Sequence, residues 1–154
     1  MQRIVAKLVI GLAITAIGMM LFAADNTVGT WKLNPAKSTG SKLESRTDVR
    51  EATPDGGLKV TRTEVLKTWG PSDSTWTVKS DGKEYPVTGG QFDTVSTKRV
   101  NANTTSWEVK KTGGKYHQTG RTAISKDGKT LTQTFKGSDA DGKAVQGTNV
   151  YEKQ

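Results

Sequence analysis

Four side chains of this sequence could hold an anionic group if the chain brings them together: Arg62, Arg99, Asn149 and Tyr151. Arginine offers a planar fork of N–H donors that matches a carboxylate or phosphate, and asparagine and tyrosine add neutral hydrogen-bonding groups. Arg62 falls on the same side of an alternating stretch as Leu58 and Val60, Arg99 on that of Val95 and Thr97, and Tyr151 on that of Asn149. An apolar tail would have Trp76, Trp107 and Phe135 to lie against, with Tyr85 beside them. Two readings of the arginines stay open. They converge on a head group, or they lie along a wall or point outward and pair with acids such as Glu51 or Glu64.

Other chemistry has less to work with. His117 is the single histidine and there is no cysteine, which removes cysteine nucleophiles and an ordinary zinc site. No G-x-S-x-G elbow prepares a serine, so His117 reads as a structural residue. Asp139-Ala140-Asp141-Gly142 lacks the downstream glutamate and following helix of a calcium loop and reads as a hairpin. We therefore expect no catalytic residue, no metal and no cofactor, and a binding protein rather than an enzyme. The net charge of +8 raises the question of nucleic acid. The lysines are scattered among turns and interleaved with acids, whereas a nucleic-acid footprint clusters on one face, so nucleic acid is not an expected partner. Weak attraction to an anionic envelope surface suits that dispersal better.

The first 24 residues differ from the rest. Arg3 and Lys7 precede an apolar run from Leu8 to Phe22 broken only by Gly11, Thr15 and Gly18, and Ala23-Ala24 offers a small-residue cleavage site. This is the pattern of a secretory signal, with a retained anchor as the open alternative, and it implies a periplasmic or secreted protein. Residues 25–154 then form a single domain, expected as a monomer. Its net charge falls to +6 as Arg3 and Lys7 leave, and all three methionines leave too. The low apolar content of what remains suits a barrel with a partly polar interior better than a packed sandwich. Without cysteine the fold is held by packing and hydrogen bonds alone.

Turn chemistry defines the elements. Asp-Gly recurs at 55–56, 81–82, 127–128 and 141–142, joined by Asn101-Ala102-Asn103 and Gly113-Gly114, and these read as hairpin turns of the primed type, which need positive φ. Between them lie runs rich in threonine, valine and aromatics, which predict strands over 28–34, 44–53, 58–67, 74–80, 83–88, 93–100, 104–111, 115–125, 130–137 and 144–153. Loops are expected at Asn34-Pro35, Pro54 and Trp69-Gly70-Pro71, and an edge, bulge or corner at Pro86 and Gly89-Gly90. A meander of short strands leaves two open edges, and closing it removes both, so the fold class is all-β: an up-and-down antiparallel barrel of about eight to ten strands. One face of each strand supplies the interior, through pairs such as Trp31 and Leu33, Trp76 and Val78, Trp107 and Val109, and Leu131 and Phe135. Gly29 would let the backbone turn in at the barrel floor, and Trp31 would fill it.

The opening Gly29-Thr30-Trp31-Lys32-Leu33 and the ending Gly147-Thr148-Asn149-Val150-Tyr151-Glu152-Lys153 resemble the calycin superfamily, particularly the lipocalin-like and fatty-acid-binding-protein-like barrels. The sequence also resembles, more closely, a group of small exported bacterial proteins with Trp-Lys-Leu-Asn, here 31–34, Asp-Gly-Lys-x-Tyr-Pro-Val-Thr-Gly, here 81–89, and a terminal Tyr-Glu-Lys. The calycin resemblance implies that Trp31 plugs the base with Lys153 across it, and that a small hydrophobic or amphiphilic ligand binds inside. Where the fatty-acid-binding proteins have Thr-Arg-x-Tyr to clamp a carboxylate, this chain keeps Tyr151 but has Asn149 for the arginine. Residues 35–42 are too few, and too rich in Pro, Gly and Ser, for the family's two-helix lid. A barrel filled by its own side chains, with an interaction or structural role in the envelope, is the alternative.

Overall fold

The computed structural model describes residues 26–154, so the signal expected over 1–24 and its site at Ala23-Ala24 lie outside the described residues. Ten strands follow in order: β1 (Gly29–Leu33), β2 (Leu43–Ala52), β3 (Leu58–Leu66), β4 (Gly70–Val78), β5 (Asp81–Gly89), β6 (Thr94–Asn101), β7 (Thr104–Lys110), β8 (His117–Ile124), β9 (Thr130–Ser138) and β10 (Ala144–Lys153). Each pairs antiparallel with its neighbours in sequence, and β1 also pairs with β10, which closes the barrel.

The hairpins are built differently from the primed turns expected. At Asp55-Gly56, Asp127-Gly128 and Asp141-Gly142 the glycine N–H donates to the carbonyl three residues earlier, of Thr53, Ser125 and Asp139. Only the glycines have positive φ, at 80°, 70° and 82°, and no other described residue type does. This is a type I turn closed by a left-handed glycine, which needs one positive φ where a type I′ turn needs two. Thr53, Ser125 and Asp139 each also accept a backbone N–H on the side chain, which fixes the turn further.

Two punctuation signals lie inside strands instead. Asp81-Gly82 opens β5, with a bulge between Asp81 and Glu84, and Gly70-Pro71 opens β4. Pro86 sits where the β4–β5 ladder stops after Trp76↔Val87. The Val87 N–H points to β6, donating to Asp93 at 2.9 Å. Strand alternation then turns the position-86 nitrogen toward β4, where proline has no hydrogen to give.

After β1 the chain makes one 3-10 turn, Pro35–Lys37, capped by the Asn34 side chain accepting from the Lys37 N–H. It then returns to β10, where Thr39 and Thr148 exchange N–H···O bonds of 2.8 Å. Residues 35–42 are thus laid along β10, and the helices of a lid are absent there.

The interior has two apolar walls. One joins Trp31, Leu33, Leu43, Ile124, Leu131 and Tyr151; the other joins Val78, Val87, Phe92, Val95 and Val109, with Trp76, Tyr85, Trp107 and Tyr116 packed on it. Burying them supplies the main driving force for closure. Trp31 is fully buried, and its Nε1–H donates to the Thr27 carbonyl at 2.8 Å. Two glycines admit rings against the wall. A β-carbon on Gly120 would fall 2.5 Å from Trp107 Cζ2, and one on Gly147 would fall 2.8 Å from Phe135 Cζ.

Candidate ligand-binding site

Between the two walls lies a buried charged cluster. A bulge between Leu43 and Ser45 resets the alternation of β2, so Leu43 faces inward and, three residues on, so does Arg46, followed by Asp48 and Arg50. Register sets Asp48 opposite Arg62 and Trp31, and Arg46 opposite Glu64. Asp48 is fully buried. It accepts from Arg62 Nε at 2.8 Å and Nη2 at 2.9 Å, a two-pronged pair, and from Arg50 Nη2 at 3.1 Å. Arg46 Nε donates to Glu64 at 2.7 Å, and its Nη1 donates to the Tyr151 hydroxyl at 3.0 Å. The Arg62 guanidinium also stands 4.9 Å over the Trp76 ring.

These contacts set the charge states. Burial pushes the Asp48 carboxyl up, but Arg62, its hydrogen bonds and then Arg50 and Arg46 outweigh it and hold the carboxyl well below the usual carboxylate range. Burial and the neighbouring Arg46 work against the Arg62 charge, and Asp48 and Glu64 restore it to above the ordinary arginine value. Burial raises the Tyr116 hydroxyl, with Arg46 and Arg62 pulling the other way. The cluster thus sets three guanidiniums, Arg46, Arg50 and Arg62, against two carboxyl groups, Asp48 and Glu64.

A cavity of about 340 Å³ opens beside it, lined by Arg46, Arg50 and Arg62 on one side and by Trp76, Phe92 and Trp107 on the other. Phe92 meets Trp76 edge-on at 5.9 Å and stacks on Tyr116 at 5.9 Å. Of the residues singled out from sequence, Trp76, Trp107, Phe135, Asn149, Arg62 and Arg99 all line this cavity.

Their roles differ from those expected. Arg62 is committed to Asp48, which was not among the acids considered, while Glu64 pairs with Arg46 and Glu51 with Lys59. Arg99 is exposed near the β6–β7 turn, its Nη1 donating to the Ala102 carbonyl at 3.1 Å, so it does not join Arg62. Tyr151 is packed in the wall with Trp31, its hydroxyl accepting from Arg46. Tyr85 packs against the other wall and donates to Asp81 at 2.9 Å. Asn149 is buried, and its Oδ1 has no hydrogen-bond partner. His117 lies on the outside, 2.6 Å from Glu108. Among the described residues no group of three metal-ligating side chains forms.

Arg46, Asp48 and Arg50 escaped the sequence reading. Their spacing by two, beside Arg62 and Glu64 in the next strand, was the available signal. The signal was masked because β2 shows no apolar face: its one valine, Val49, points outward and is 38% exposed.

The closed ten-strand meander, plugged by Trp31 and hollow between its walls, is an up-and-down antiparallel β-barrel. The chain is similar in fold to the fluorescent protein UnaG, at a TM-score of 0.54 and 14% identity over 83% of this chain and 97% of that one. It is also similar to EF1p2_mFAP2b, whose structure was solved bound to DFHBI, at a TM-score of 0.50 and 11% identity over 86% of this chain and 97% of that one. No family model and no curated protein matches the chain.

Proposed function

We propose that this chain is a binding protein that holds a small anionic amphiphile inside its barrel. One observation carries the reading: the cavity-lining cluster buries three guanidiniums against two carboxylates. Asp48 serves Arg62 with both oxygens and Glu64 serves Arg46, which leaves Arg50 with a single 3.1 Å contact and its Nε without a partner. A net charge in a protein interior is costly unless an opposite charge meets it. An anionic head group beside Arg50 would meet it, with the apolar part of the molecule against Trp76, Phe92 and Trp107. The DFHBI complex of a protein of similar fold supports the idea that a barrel of this kind binds a small molecule.

Export belongs to the same proposal and rests on the apolar run before Ala23-Ala24. So do binding without turnover, a monomeric state, and the absence of a nucleic-acid partner, which rest on the residue types and the scatter of the lysines.

The test is a titration with a fluorescent fatty-acid analogue, following quenching of tryptophan emission. Saturable binding is expected, with Arg50→Gln weakening it about tenfold to hundredfold, the range for a charged hydrogen bond. Lys129→Ala, in an exposed turn away from the cavity, is expected to leave it unchanged. Absence of saturable binding, or binding indifferent to Arg50→Gln, would leave a filled barrel with an envelope role as the better account.

A further inference from the structure

The outside of the barrel carries a second concave surface, remote from the charged cluster within. A groove of about 930 Å³ crosses the outer face of β6 to β10. It lies over an inner row in which Trp107, Gly120, Phe135 and Gly147 stand opposite one another from strand to strand. In that row β8 and β10 have no inward side chain, so both strands sit close against the neighbouring rings: a β-carbon would fall 2.5 Å from Trp107 Cζ2 at Gly120 and 2.8 Å from Phe135 Cζ at Gly147. The groove is the outer side of that inward step.

The same registers fix what faces outward. One row runs Lys98, Ser106, Arg121, Thr134, Thr148 and Thr39 across successive strands. Lys136 stands beside it, two residues along β9 from Thr134 and opposite Thr119. Paired strands lie about 4.8 Å apart, so Lys98 and Arg121, two strands apart, leave the sheet about 10 Å from one another. Among the described residues none of Lys98, Arg121 and Lys136 meets a carboxylate. Glu108, the one acid lining the groove, is held by His117 at 2.6 Å, and the flanking Glu84 and Glu152 pair with Lys110 and Lys37. Three cationic side chains thus share the groove with one acid, among hydroxyls that both donate and accept.

The groove presents no ring to a ligand, since Trp107 and Phe135 turn theirs to the interior. A nucleic-acid base has nothing there to stack on, and an acyl chain has no apolar bed. The matching chemistry is a chain that carries carboxylates at intervals with many hydroxyls between them. We infer that the outer groove over β6 to β10 binds a linear polysaccharide of sugar acids. Arg121, at the centre, takes one carboxylate on its planar fork, and Lys98 and Lys136 take others along the chain. Ser106, Thr134 and Thr148 hydrogen-bond the sugar hydroxyls. The site is separate from the interior one, because Lys98, Arg121 and Lys136 line the groove and not the cavity.

Calorimetric titration with polygalacturonate oligomers at low salt tests this, with the methyl-esterified oligomers as the uncharged counterpart. Saturable binding of the acid form is expected, and none of the ester. Arg121→Gln should weaken it about tenfold, the lower end of the range for a charged hydrogen bond, and Thr134→Val, which removes a hydroxyl and no charge, about fivefold. Both positions are exposed, so neither change touches the core. Lys129→Gln removes one positive charge from a turn outside the groove and should change nothing. Equal losses in Lys129→Gln and Arg121→Gln would mean attraction to net charge alone. Thr134→Val without effect, or single-stranded DNA bound as tightly as polygalacturonate with the same dependence on Arg121, would mean a surface for any polyanion. Each of these outcomes overturns the inference, as does absence of binding. The interior reading is untouched by any of them, and Arg121→Gln is expected to leave the fatty-acid-analogue titration as it is in the wild type.

Discussion

Lys153 Nζ stands 5.2 Å from the centre of the Trp31 ring, so the last strand lays a cation over the tryptophan of the first. The two residues are also register partners in the β1–β10 ladder that closes the barrel. Gly29 makes room for this: a β-carbon there would fall 2.6 Å from Lys153 Cε, at a backbone φ of 129°. Closure and plugging are thus one arrangement, with the charge exposed and the ring buried.

Trp31→Ala is expected to lower stability by about 3 to 5 kcal/mol, the range for emptying a buried large aromatic site. Lys153→Ala removes a cation–π contact at an exposed site and is expected to cost about 0.5 to 1 kcal/mol. Lys129→Ala, in a turn, should change little. Urea titrations of the three variants check the order, and equal small effects would remove Trp31 from its organising place.

Asp48→Asn leaves Arg62 and Arg50 buried beside a neutral group and is expected to destabilise by about 3 to 5 kcal/mol. Glu51→Gln breaks only the exposed 3.8 Å pair with Lys59 and should cost less than about 0.5 kcal/mol. Chemical denaturation at neutral pH would show the contrast, and a mild Asp48→Asn would mean that the cluster rearranges around the loss.

The same carboxylate predicts a pH dependence. Its folded-state pKa lies below the ordinary aspartate value, so the stability it contributes is complete above about pH 3.9 and is lost as the pH falls below that toward the folded value. The stability gap between the wild type and Asp48→Asn should therefore narrow as titrations are carried from pH 7 to pH 2. A gap constant over that span would contradict ionisation of Asp48.

At Gly120 an added methyl group would lie 1.9 Å from the Thr134 carbonyl oxygen and 2.5 Å from the Trp107 ring. Gly120→Ala is expected to cost about 1 to 3 kcal/mol by overpacking, with a shift in tryptophan emission as the indole moves. Thr119→Ala, one residue along and pointing outward, should stay within about 0.5 kcal/mol. An unshifted emission spectrum in Gly120→Ala would mean that the backbone yields instead of the ring.

If the chain is exported as proposed, the protein recovered from the periplasm or the medium begins near Ala24 or Asp25. N-terminal sequencing of that material reads this directly. Finding Met1 in place would favour a retained anchor.

The fold was legible because its determinants are local. Alternation between Trp107 and Val109 or Leu131 and Phe135, and a glycine at most of the tight turns, act within a few residues of chain, and a strand's face has a period of two wherever the strand sits. The errors at Gly70-Pro71 and Asp81-Gly82 are local too: the same dipeptides suit a strand opening beside a bulge as well as a turn, and only the partner strand distinguishes them. The ligand site was legible in part. Trp76, Trp107, Phe135 and Asn149 were reached through their faces, whereas Arg46, Asp48 and Arg50 were passed over because a strand with charges on its inner face looks like a solvated one.

The sequence by itself determined the ten-strand meander and which side of most strands faces inward, since both follow from residue order and backbone geometry. Tertiary structure alone decided which charges meet. Asp48 takes Arg62 because a bulge after Leu43 sets the phase of β2 and the β2–β3 register sets those two residues opposite one another. Arg99 stays outside the cluster because the barrel carries it to an exposed end of β6. Charge pairing depends on distances of a few ångströms between strands, and those distances come into being only when the sheet closes.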